Sequence, residues 1–205
     1  MKKVILLIIT VVGVLTIIPI CGFSQNITDF FFQEKQIHTL TDGKNQTETY
    51  QIQRYDKNTV YLVYTLSIKH QTIRTISLKL QFQKSCITSE FIRIAGINGN
   101  MNQKNKTTVL ALPGKKGYNY WTNQTTSERL VYSCKYVTLT LNGQHTYKAL
   151  QVTRKSFDLS SNKSVVPDEI SYYIKGMGLI LKTDGKNILS YSTTLDYKPD
   201  QIEIK

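Results

Sequence analysis

The stretch "NTVYLVYTLSIKHQTIRTISLKLQFQK", Asn58 to Lys84, decides the fold class. Val60, Leu62, Tyr64, Leu66 and Ile68 recur at every second position. Ile76, Leu78, Leu80 and Phe82 do the same against Ser77, Lys79, Gln81 and Gln83. One apolar and one polar face at period two is the pattern of half-buried antiparallel strands. "KHQT", Lys69 to Thr72, turns the chain between them. Upstream, "ETYQIQRY" alternates Tyr50, Ile52 and Arg54, and Asp56-Lys57-Asn58 is short enough to close a hairpin.

The pattern continues downstream. "AGINGNMNQKNKTTVLALPGKKGYNYW" is rich in Gly, Asn and Lys and reads as a long loop with short strands near 107–112 and 118–122. "RLVYSCKYVTLTLNGQHTYKALQVTRK" places two β-rich runs around Asn142-Gly143, whose residues tolerate the positive φ of a tight hairpin turn. Tyr132 and Cys134 share one face of the first run, whereas Val137, Leu139 and Leu141 have the opposite parity. That predicts either a bulge near Lys135 or a strand covered on both faces. A polar connector, "DLSSNKSVVPDE", leads to a strand predicted over 169–182, which Asp184-Gly185 returns into "KNILSYSTTLDY" and a final "QIEIK". Apolar residues at helical spacing are missing from every segment of useful length. The chain is therefore expected to be all-β: ten or more strands in a curved antiparallel sheet or half-open barrel, with little helix.

The N-terminus, "MKKVILLIITVVGVLTIIPICGFSQ", has two lysines, an apolar run and the small residues Gly22 and Ser24, the layout of a secretory leader. Cleavage is expected after Ser24, giving a signal peptide over 1–24 and a single β-rich domain over 25–205. The rival is lipidation at Cys21, against which Ile20 stands where lipoprotein signals carry a small residue. No transmembrane anchor is expected after processing, and the location expected is secreted or periplasmic. The chain is basic, with a formal net charge of +12. Its lysines and arginines are scattered, which excludes the clustered footprint of a nucleic-acid binder. Cys86 and Cys134 survive processing, and an oxidising compartment permits a disulfide between them.

Chemical signatures are sparse. His38, His70 and His145 stand apart from any metal-ligand spacing and read as turn or surface residues. G-x-S-x-G is absent, and "SSNK" at Ser160 to Lys163 lies in a polar loop rather than opening a helix. Asp168 and Glu169 are neighbours, so a strand would send them to opposite faces instead of pairing them. Catalytic residues, cofactors and metals are accordingly none. Trp121, after the Pro113-Gly114 turn, is the aromatic selected as ligand-facing. Phe30-Phe31-Phe32 reads as a first strand or short buried segment, with a membrane-adhering tip as the alternative.

"YYIKGMGLILK", Tyr172 to Lys182, with "LALPGKKGYNYW" and "YVTLTLNGQHTYKALQVT" before it, resembles the late half of the TapB-like secreted domains of Bacteroidetes. The resemblance covers roughly residues 105 to 195. It implies a curved, carrier-like antiparallel sheet without a known activity, and gives Tyr172, Tyr173, Lys175, Gly176, Gly178 and Leu179 an architectural role. Gly176 and Gly178 are expected to bend or bulge a strand, or to let a side chain pack against it. The function expected is a non-catalytic envelope binding or carrier module for an apolar ligand or partner, with lipid or glycan as the candidates. The alternatives are an envelope hydrolase acting on glycans and a structural or adhesive surface protein.

Overall fold

The computed structural model describes residues 26–31, 37–56, 58–96, 99–103, 106–125, 127–194 and 201–205. The leader, Cys21 and Phe32 lie outside them. Among the described residues, a 3-10 turn, Ile27–Phe30, precedes fourteen strands. These are β1 (Ile37–Thr41), β2 (Gln46–Asp56), β3 (Thr59–Ile68), β4 (Gln71–Phe82), β5 (Cys86–Gly96), β6 (Gly99–Gln103) and β7 (Thr107–Ala111). β8 (Tyr118–Gln124), β9 (Glu128–Leu141), β10 (His145–Asp158), β11 (Glu169–Ile174), β12 (Gly178–Thr183), β13 (Ile188–Ser192) and β14 (Ile202–Ile204) complete the set.

All of them belong to one antiparallel sheet, ordered β14-β9-β10-β11-β12-β13-β1-β2-β3-β4-β5-β6. β7 lies beside β6 along the outer edge of β5, and β8 lies beside β14 along the outer edge of β9. The sheet therefore curls into a nearly closed barrel with one unsealed seam, between β7 and β8. The hairpins sit where turn chemistry places them. Lys69 and His70 take φ of 48° and 66° between β3 and β4, and Asn142 and Gly143 take 55° and 64° between β9 and β10.

The β9–β10 ladder runs from Glu128↔Asp158 to Leu141↔His145 without a register shift. No bulge forms at Lys135, so β9 is covered on both faces. Tyr132, Cys134 and Tyr136 join the barrel interior with Leu62, Leu80, Leu150 and Val152. Val137, Leu139 and Leu141 join an outer cluster with Tyr172, Ile174 and Leu181. The parity break in the sequence is the record of two apolar layers, one inside and one outside.

The 3-10 turn stoppers one end of the barrel. Ile27 and Phe30 are fully buried, the Ile27 N–H donates to the Lys84 carbonyl at 3.2 Å, and Phe31 meets Phe82 edge-on at 5.0 Å. Burial of each such side chain contributes about 1.5–3 kcal/mol. Asp29 fastens the stopper to the β11–β12 turn: its carbonyl accepts from Gly176 N–H at 2.7 Å, and its carboxylate pairs with Lys175 at 3.0 Å.

Two expectations are corrected. The predicted strand over 169–182 is two strands, and Lys175-Gly176-Met177 is the turn between them, with Gly176 and Gly178 at φ 77° and 76°. A Cβ on Gly176 would meet nothing within 4 Å, so the residue answers a backbone need and not a close packing contact. The second concerns the cysteines, which are free thiols. Cys86 opens β5 and donates to Gln83 Oε1 at 3.3 Å, while Cys134 is buried in β9, a strand not bonded to β5. Burial pushes the Cys134 thiol up to about 11.

Candidate ligand-binding cavity

Inward-facing residues of β2, β3 and β4 form three cross-strand rows. Glu48, Leu66 and Arg74 make the outermost, then Tyr50, Tyr64 and Ile76, then Ile52, Leu62 and Leu78. β10, β11 and β12 contribute three more: Arg154 with Glu169, Val152 with Ser171 and Lys182, and Leu150 with Tyr173 and Leu179. Between these walls lies a cavity of about 430 Å³, to which Val109, Leu110 and Phe31 also contribute, as does Gln46, one inward position further out on β2 than Glu48. Arg74 is exposed at its outer end, beside the β3–β4 turn, and Phe31 belongs to the stopper at the other. The volume falls within the range of small-molecule sites.

One side of this cavity is apolar, from Leu62, Leu66, Ile76, Leu78 and Val109. The other is polar, and its centre is Glu48. The Glu48 carboxylate accepts from Lys182 Nζ at 2.5 Å, Tyr50 Oη at 2.9 Å and Ser190 Oγ at 3.1 Å. Burial alone would raise its pKa, but Lys182 and the two hydroxyl donors prevail and hold it below the usual carboxylate range. Burial likewise opposes the charge on Lys182, and Glu48 with Glu169 raises it nonetheless. Both partners are ionised at neutral pH, as a buried charge must be paired and hydrogen-bonded to persist.

Lys182 reaches this position through a bulge. Tyr172 pairs with Leu181 but Tyr173 pairs with Leu179, leaving Ile180 as the extra residue. On a regular strand Leu179 and Lys182, three apart, would face opposite ways. Here both line the cavity. A second ion pair lies nearby, between Arg154 and Glu169 at 3.2 Å. Asp168 pairs instead with Lys155 at 3.1 Å, so the two neighbouring acids do separate. Burial raises Tyr64 and Tyr173 to about 12, so their hydroxyls stay protonated donors.

His38 departs from the expected turn or surface position. It is buried on β1, its Nε2–H donates to the Leu179 carbonyl, and burial depresses its pKa. Trp121 faces inward but does not line the cavity. Its ring stacks on Tyr132 at 5.2 Å and its Nε1–H donates to the Thr108 carbonyl at 3.0 Å. Asn123 Nδ2 donates to the same carbonyl at 2.8 Å, and Asn119 Nδ2 to Leu112 O at 3.1 Å. Side chains at alternate positions of β8 thus tie the seam that the backbone leaves open. Of the other residues selected from the sequence, Tyr173 and Leu179 line the cavity, and Tyr172 packs in the outer cluster. Lys175 and Gly176 lie in the turn, and Gly178 opens β12 opposite Ile174.

Among the described residues, no group of three or more His, Cys, Asp or Glu is placed to hold a metal ion. Comparison with protein-family models, curated proteins and solved structures gave no match.

Proposed function

We propose that the domain is a non-catalytic binding or carrier module of the cell envelope, which holds a small amphipathic ligand inside the barrel. The observation that carries this reading is the cavity between the β2–β4 and β10–β12 walls, which has an apolar side, a stoppered end and an already satisfied ionic wall. Such a space is lined for recognition: apolar surface supplies the affinity, and a few fixed polar groups orient the guest. The envelope location rests on the leader-like N-terminus, and the carrier role rests on the lining of the cavity.

The glycan-hydrolase reading draws on Glu48 and Glu169 lining the same cavity. Glycoside hydrolysis needs one carboxyl held protonated as the general acid. Glu48 is held ionised by Lys182, Tyr50 and Ser190, and Glu169 is engaged with Arg154. Binding is therefore favoured over hydrolysis.

Native mass spectrometry of the protein isolated without denaturant tests the proposal. A co-purified small molecule, lost from a variant in which Ile76→Trp fills the cavity, is the expected result. A bare protein that also fails to take up any lipid or glycan from an envelope extract overturns it.

A further inference from the structure

Resting on that reading, we infer that the ligand carries an anionic head, received at the cavity's outer end by Arg74. Three cations and two carboxylates line the cavity. Lys182 is committed to Glu48 and Arg154 to Glu169. Arg74 is the remaining cation, and among the described residues it forms no ion pair. It stands in the outermost row, directly opposite Leu66, so its guanidinium borders both solvent and the apolar side.

This arrangement discriminates by charge. A cationic head would meet Arg74 with no free carboxylate to answer it, since both acids are already paired. A neutral head would gain no ionic partner from the guanidinium, which stays hydrated at the rim. A carboxylate or phosphate gains a charge-assisted, bidentate partner at the rim while its apolar part lies against Leu62, Leu66, Ile76 and Leu78. The net positive charge of the chain favours the approach of anions in general. Fatty carboxylates and lipid phosphates share this chemistry.

The test uses the neutral dye Nile red as a cavity reporter and decanoate, decyl phosphate and decanol as competitors. Decanoate or decyl phosphate should displace the dye about tenfold better than decanol, the worth of one charge-assisted hydrogen-bonded contact. Whichever of the two acids competes better identifies the source of the head. R74Q should bring the ratio of acid to alcohol close to one, and R74K should keep a preference for the acid. Dye displaced equally by acid and alcohol would overturn the anionic head while leaving the binding module intact. A protein that binds neither dye nor competitors would overturn the binding reading and the head together.

Discussion

The Glu48 carboxylate and the Lys182 ammonium meet at 2.5 Å inside the barrel, although 134 residues separate them in the chain. β2 supplies the acid and the bulged β12 the base, so the pair links strands on either side of β1 and β13. Breaking it from one side leaves an uncompensated buried charge. Glu48→Gln should therefore cost about 3–5 kcal/mol in urea denaturation. The double variant Glu48→Leu/Lys182→Met should recover most of that loss, because an apolar pair of similar volume needs no counter-charge. Wild-type stability in the single variant would contradict the assignment.

Stability should fall at both ends of the pH scale. His38 and Glu48 have folded-state pKa values below their ordinary 6.5 and 4.5. Their contributions are complete above those values and disappear as acid protonates the folded protein. Tyr64 and Tyr173 are raised from 10.0 to about 12, so theirs are complete below pH 10 and lost between about 10 and 12. Thermal melts across the range should show a plateau with both limbs. An unchanged melting temperature from pH 9 to 12 would contradict the buried tyrosines.

At the seam, Trp121→Phe keeps the stack on Tyr132 and removes one donor to Thr108. The expected loss is about 1 kcal/mol. Adding Asn123→Ala removes the second donor. Amide exchange in β7 and β8 should then accelerate while β3 and β4 keep their protection. Equal protection in wild type and double variant would show that the side-chain ties do not hold the seam.

Gly176 lies at φ 77° with open space around its Cβ position. The cost of a side chain there is conformational, about 1–2 kcal/mol for an ordinary residue and more for a β-branched one. Gly176→Val should lower the melting temperature clearly more than Gly176→Asn. Identical effects of the two would point to packing instead.

Much of the barrel was legible because its signals are local. Period two, Asn142-Gly143 and the turn at Lys69-His70 each act within a few residues, and the structure has the strands and both turns in those places. The cavity was not legible, since Glu48, Arg154, Glu169 and Lys182 come together only when the sheet closes. Lys182 was further hidden by the bulge at Ile180, which reverses the parity on which a strand is read. Trp121, expected to face a ligand, does not line the cavity but donates to Thr108, and nothing in its sequence neighbours announces that the Thr108 carbonyl takes a donor there. The parity change between Cys134 and Val137 was the one sequence signal of a long-range feature, the outer apolar layer.

The most direct test is methyl-detected NMR of the isoleucine- and leucine-labelled protein titrated with decanoate. Binding inside the barrel predicts shifts at Leu62, Leu66, Ile76 and Leu78, with Leu139 and Leu141 of the outer cluster unmoved. Shifts confined to the outer cluster, or none at saturating decanoate, would contradict it.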